Sequence, residues 1–161
     1  MESRTALYSA IGEALTHYEM NTEDATLIKR STVLLPANVQ FAWPHPSRQY
    51  LYVISSNRGS APVANINHLT VLRIDPTSGA LAQYGEPFAL RSRPIHISLD
   101  ASGAYVLIAY SNPSGVSVHR IDDAGRIGEE IIQSSEIDCG IYPHQILTMP
   151  SNKAAVIVAK G

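Results

Sequence analysis

Cysteine is almost missing from this chain. Cys139 is the single one among 161 residues, so no disulfide can form within it, and an oxidised secreted scaffold is not indicated. Charge is scarce too: Asp, Glu, Lys and Arg make up 16%, against roughly a quarter in ordinary soluble domains. A chain so poor in charge hides much of its length in sheet rather than displaying charged helix faces. The net charge is −2 and no run of Lys or Arg exceeds two neighbours, so no nucleic-acid partner is expected. No apolar run approaches the ~18 residues of a membrane span. The opening "MESRTALYSAIGEA" carries early acidic residues and no long apolar core, unlike a signal peptide. These absences lead to the expectation of a soluble cytoplasmic protein without a membrane partner. The 45% of apolar residues and a length sufficient for one domain with a real core complete the picture.

What is present is a repeat. "PSRQYLYVIS" (Pro46 to Ser55) matches "ASGAYVLIAY" (Ala101 to Tyr110) and "PSNKAAVIVA" (Pro150 to Ala159), each a small turn followed by a β-favouring apolar run. A second marker keeps the same spacing of about fifty residues. It is the turn chemistry of "NTEDATL" (Asn21 to Leu27), "DPTSGAL" (Asp75 to Leu81) and "DDAGRI" (Asp122 to Ile127). In these turns Asp or Asn opens the reversal and Gly79 or Gly125 supplies a permissive backbone. Two unrelated markers with one period set the architecture.

Within one unit the strands read as "PIHISLD" (94–100), "YVLIAYS" (105–111), "GVSVHRID" (115–122) and "RIGEEIIQ" (126–133). Four short strands with hairpin-sized connections make one antiparallel propeller blade. The second is a continuous apolar run, suited to burial on both faces. The third alternates, with Val116, Val118 and Arg120 on one side and Ser117, His119 and Ile121 on the other. "ALYSAIGEALTHYEM" could be taken for a helix, but its alignment with the other units predicts strand–turn–strand. The expected fold is therefore all-β: a propeller of four-stranded antiparallel blades, about three of them present. The first blade, 5–35, lacks its innermost strand; 36–90 and 91–135 are complete; 140–161 begins a fourth. An open array of this kind leaves strand edges unpaired. The chain is accordingly expected to be a fragment, inactive alone, with the rest of the ring beyond Gly161; the alternative is a small open β-array that covers its edges by self-association.

The WD dipeptide with its Gly-His partner is absent, as is the double glycine of kelch repeats. By contrast, "HPSRQYLYVISSNRG" (45–59), "VLRIDPTSGAL" (71–81) and "RPIHISLDASGAYVLIAYSNPSGVSVHRIDDAGRIGE" (93–129) resemble the lactonase family of seven-bladed propellers. That family includes bacterial 6-phosphogluconolactonase and the fungal carboxymuconate lactonizing enzyme. The chain departs from the family pattern at Ala101 and "PSNK", where Pro-Asp-Gly is more usual. The resemblance implies seven blades in all.

In a propeller the first strand of each blade lines the central channel. Here those strands start at "PANVQFAW", "RPIHISLD" and "YPHQILTM", which pairs Pro94 with Pro143 and Arg93 with Tyr142. His144 then stands at the channel mouth, one residue into the innermost strand. An imidazole there could activate water, its ordinary pKa lying near neutrality. The family resemblance implies a catalytic role for this Pro-His position, and it places the family's arginines and glutamate beyond Gly161. Arg93 and Arg58 occupy loop positions suited to a carboxylate or phosphate of the substrate. His96 aligns with Gln145 and is expected in a blade interior, while His17, His45, His68 and His119 read as structural or solvated. No pair of histidines has metal-ligand spacing, no Gly-x-Ser-x-Gly elbow or phosphate-binding glycine loop occurs, and no metal or cofactor is expected. A Cys139–His144 nucleophilic pair is the weakest enzymatic reading, since closeness in sequence is no evidence of contact.

The function these readings imply is hydrolysis of a small anionic sugar lactone, with 6-phosphogluconolactone the first candidate. The competing readings are a muconate-type lactonizing cyclase or isomerase on the same scaffold, and a non-catalytic propeller that binds a partner. Oligomeric state is not legible in the sequence.

Overall fold

The computed structural model describes residues 4–57 and 66–161, and among these the regular elements are all β-strands. The first sheet holds β1 (Arg4–Ile11), β2 (Ala14–Asn21) and β3 (Leu27–Leu34) in that order. The helix-like stretch at the start is a hairpin. β1 and β2 pair from Arg4↔Asn21 to Ile11↔Ala14 around Gly12, whose φ of 60° costs a residue without a Cβ little.

The second sheet contains β4 (Val39–Pro44), β5 (Tyr50–Ser56), β6 (Asn67–Ile74), β7 (Leu81–Gln83) and β8 (Phe88–Ala89). Its outer strand is split. β7 pairs with Leu72–Ile74 and β8 with His68–Leu69, both on β6. The break falls at Gly85 and Pro87, residues that weaken or cannot donate to a ladder. The third sheet is β9 (Pro94–Leu99), β10 (Tyr105–Ser111), β11 (Ser114–Ile121) and β12 (Ile127–Glu130), ordered β12-β11-β10-β9. β13 (Pro143–Thr148) and β14 (Ala155–Ala159) form the fourth. Every pairing is antiparallel and each sheet follows chain order from its first strand as a meander.

Period two explains how one strand holds two cores. On β5, Tyr52 and Ile54 join the cluster that includes Ile97, Val106 and Ile108 of the third sheet. Leu51 and Val53 face the other way, into the cluster with Leu15 of the first. β10 repeats the arrangement: Val106, Ile108 and Tyr110 face the second sheet, Leu107 and Ala109 pack with Ile146 of the fourth. Each fully buried aliphatic side chain contributes about 1.5–3 kcal/mol relative to exposure. The continuous apolar runs of the sequence are therefore the strands sandwiched between neighbours.

Polar latches tie the sheets together. The Tyr8 hydroxyl donates to the Gly79 carbonyl at 2.6 Å, and Tyr52 does the same to Gly125 at 2.8 Å. His45 Nε2 donates to the Gly103 carbonyl at 3.1 Å, and Asn152 Nδ2 donates to Asp100 at 2.9 Å. These latches align the inner strands side by side and so bring their starting residues to one end.

Candidate active site

Each inner strand opens on the same irregularity. β4 pairs through Val39↔Ser55 and then Phe41↔Ile54, leaving Gln40 as an extra residue. β9 pairs through Pro94↔Tyr110 and then His96↔Ala109, leaving Ile95 extra. β13 pairs through Pro143↔Ala159 and then Gln145↔Val158, leaving His144 extra. A bulge breaks the alternation and re-aims the side chain that sits on it. Gln40, Ile95 and His144 line one cavity of about 290 Å³ together with Phe41, Arg93 and His96. Pro94 and Pro143, both fully buried, occupy first-strand positions where a missing N–H is tolerated.

The candidates Arg93 and His144 line the same cavity. His144 is exposed on its bulge. Arg93 immediately precedes β9, and its Nη2 donates to Gln40 Oε1 at 3.1 Å. Its buried Nε has no hydrogen-bond partner among the described residues. A guanidinium carries five N–H donors in a planar fork, so most of this one's capacity is uncommitted. No carboxylate lines the cavity among the described residues. The site is thus arranged to receive negative charge. Arg58 lies outside the described residues.

His96 was expected in a blade interior. It is 3% exposed, yet it also lines the cavity with His144. Its ring lies 4.3 Å from that of Phe41 and 6.1 Å from that of Trp43, and the Ile146 amide donates to Nδ1 at 3.4 Å. His96, on the third sheet, therefore touches the second and the fourth at the mouth. Burial pushes its pKa below the ordinary imidazole value, and the neighbouring His144 adds to the shift. With Nδ1 accepting, the neutral ring carries its proton on Nε2. Sequence reasoning missed its place in the site, along with Gln40. The signal was the shared start of the inner strands, but a one-residue bulge is invisible before pairing is known.

Cys139 lines a different cleft, with Arg91 and Glu130, and does not share the His144 cavity. Among the described residues no group of three His, Cys, Asp or Glu side chains could hold a metal ion. No helix there is long and apolar enough to cross a membrane.

Residues 4–161 match the profile of the lactonase, seven-bladed β-propeller family. The chain belongs to that family. It is similar in fold to the periplasmic gluconolactonase of Pseudomonas aeruginosa, with 19% identity and a TM-score of 0.79 over 96% of this chain and 47% of that one. A Lactobacillus plantarum protein gives 17% identity and a TM-score of 0.75, covering 98% of this chain and 45% of that one. A provisionally assigned 6-phosphogluconolactonase of Bacteroides fragilis gives 19% and 0.59, covering 79% and 37%. The chain therefore spans less than half the length of these proteins, and what it holds is part of a seven-bladed propeller.

Proposed function

We propose that the complete protein is a carboxylic-ester hydrolase that opens a sugar lactone, with 6-phosphogluconolactone as the first candidate substrate, and that the mouth of Arg93, His96 and His144 is its reaction site. In this reading the four sheets are successive blades, the first over about 5–35 and the others over 36–90, 91–135 and 140–161. The observation that carries the proposal is the bulge that puts His144 beside an under-used guanidinium in a cavity lined by no carboxylate among the described residues. Lactonase-family membership supports the reaction class.

The chemistry follows from those groups. The His144 imidazole takes a proton from a water molecule as the water oxygen adds to the lactone carbonyl carbon. Arg93 holds the anionic substrate by charge-assisted hydrogen bonds. The tetrahedral adduct collapses by breaking the ring C–O bond. The imidazolium returns its proton to the departing ring oxygen, leaving an open hydroxy acid. His96 offers Nε2–H as a fixed donor to substrate oxygen.

The test is hydrolysis of 6-phosphogluconolactone by the complete protein and its variants. His144→Ala is expected to lower kcat by about 10²–10⁴-fold. Arg93→Ala is expected to raise KM by about tenfold or more, the loss of a charged hydrogen bond. Equal kcat values for the parent protein and His144→Ala sink the role of this histidine. The cytoplasmic location belongs to the same proposal. Fractionation of the source cells decides it against the periplasm, where the Pseudomonas aeruginosa gluconolactonase is described.

A further inference from the structure

We infer that the protein has a second small-molecule site, at the opposite end of the sheets from Arg93 and His144, and that it takes an uncharged polyhydroxylated ligand of the size of a sugar ring. The site lies between the first and second sheets. It is a cavity of about 610 Å³ bounded by β1, β2, the turn that follows β4 and the turn between β6 and β7. That volume is within the usual range for small-molecule pockets.

His17 carries the inference. It is 2% exposed and lines the cavity, and neither ring nitrogen has a hydrogen-bond partner among the described residues. Burying such groups unpaired is unfavourable, so their retention calls for an explanation. The fold does not supply one. Across the ladder, Tyr8 faces His17, whereas the matching pairs are Tyr52 with Val71 and Leu107 with Val118. One step along, Ala6 faces Glu19, whereas Tyr50 faces Arg73 and Tyr105 faces Arg120. The other two sheets thus fill these positions with an apolar Val and a Tyr–Arg pair. The first sheet replaces them with a histidine, a missing aromatic ring and the space that ring would occupy.

The lining points to hydroxyl groups. One nitrogen of a neutral imidazole accepts an O–H and the other donates. The Tyr8 hydroxyl is already donating to Gly79 and keeps acceptor capacity. The Tyr8 and His17 rings, 5.5 Å apart and inclined at 45°, form an aromatic wall for the C–H face of a sugar. Three charged residues line the cavity, Glu19, Asp75 and Arg48; the Arg48 guanidinium has no ion pair among the described residues, but it is outnumbered by two carboxylates that are themselves committed. Glu19 is bridged to Arg30 at 2.9 Å, and Asp75 accepts from the Ser78 amide and hydroxyl of its own turn. Neither a strong anion nor a cation is favoured. The cavity is lined by His17 and Glu19 of β2 as well as by Thr5, Ala6 and Tyr8 of β1.

The experiment uses the complete protein with ¹⁵N-labelled histidine, titrated with glucose and glucitol, and with gluconate and phosphate as charged controls. The expected result is a saturable shift of the His17 ring signals with glucose or glucitol. Calorimetry then compares His17→Val and Ala6→Tyr, which install the residues used in the other sheets. Affinity is expected to fall at least tenfold in the first and to vanish in the second. An absence of saturable shift with either neutral probe overturns the site, and that reading does not depend on how the variants fold. Unchanged affinity in Ala6→Tyr, or a response to gluconate or phosphate alone, overturns the proposed location or ligand class.

Discussion

Between the second and third sheets, Tyr52 gives its hydroxyl to the Gly125 carbonyl while the Tyr50 ring closes over the same glycine. Between the first and second, Tyr8 gives its hydroxyl to the Gly79 carbonyl, but Ala6 stands where Tyr50 would be. The backbone device is identical and the filling is not. Tyr50 is held by Tyr84 at 5.5 Å and by the Arg73 guanidinium at 5.9 Å, and Tyr52 is fully buried. Burial, with the nearby Tyr50 adding to it, raises the Tyr52 pKa far above its ordinary value. At the other seam the Tyr8 pKa is also raised by burial, yet the residue is only partly covered and an open cavity adjoins it. The comparison teaches that these two seams share one latch, while the side-chain volume packed beside it differs.

Three glycines with nearly the same backbone can break that comparison. Gly79, Gly85 and Gly125 have φ of 74°, 76° and 78°, so an alanine is strained at all three. Their neighbours differ. A Cβ at Gly125 would lie 2.6–2.8 Å from ring atoms of Tyr50; at Gly79 it would lie 2.6 Å from Ala6 Cβ; at Gly85 it meets nothing within 4 Å. Gly125→Ala is expected to cost about 3–5 kcal/mol, combining backbone strain with overpacking of a buried ring. Gly79→Ala is expected to cost less, about 2–3 kcal/mol, because the nearest obstacle is a single methyl beside an open cavity rather than a buried aromatic ring. Gly85→Ala should cost about 1 kcal/mol, strain alone. Urea unfolding of the three variants checks the order. Equal losses at Gly79 and Gly125 would mean that the two seams are packed alike.

The latches themselves give a smaller contrast. Tyr52→Phe leaves the Gly125 carbonyl unpaired in a closed seam and is expected to cost about 1–3 kcal/mol. Tyr8→Phe leaves the Gly79 carbonyl where water from the cavity can reach it, so about 0.5–1.5 kcal/mol is expected. Denaturation midpoints of the two variants decide the matter. A larger loss at Tyr8 than at Tyr52 contradicts the account of an open first seam.

Much of this fold was legible in the sequence because strand and turn signals are local. The Asp–Gly turns and the apolar runs mark β5, β6, β10 and β11 directly, and the hairpin at Gly12 followed from alignment with the other units. The split outer strand was not foreseen, since Gly85 and Pro87 announce a break without saying that β8 rejoins β6. At the mouth, His144 and Arg93 were found from the aligned strand starts, and they do line one cavity. The bulges that put Gln40, Ile95 and His144 in equivalent places depend on pairing across the ladder, which no local pattern encodes. For the same reason the sequence alone leaves His17 structural or solvated. Only the register against Val71 and Val118 reveals that a histidine there is not what the repeat requires.

The smallest expected effect concerns how the closed seam holds its own histidine. His119 is buried against the Phe88 ring at 5.3 Å, with Nδ1 donating to the Gly128 carbonyl at 3.3 Å and Nε2 facing the Ser117 hydroxyl at 3.2 Å. Ser117 Oγ also lies 2.8 Å from the Tyr110 hydroxyl. The neutral ring completes this relay, with Tyr110 donating to Ser117 and Ser117 to Nε2. A protonated ring has no lone pair to accept there. Burial lowers the His119 pKa, as it does for His96 at the mouth. The sign follows. A folded-state pKa below the unfolded value of about 6.5 means that the unfolded chain binds more protons in the window between them. Stability is therefore full above about pH 6.5 and declines as pH falls through that window. His119→Gln removes one of the two titrating groups and should flatten the decline in urea midpoint between neutral and acid pH. His96→Asn keeps an acceptor for the Ile146 amide and should flatten it as well. Were the acid slope unchanged in both variants, neither imidazole would be held neutral by its seam.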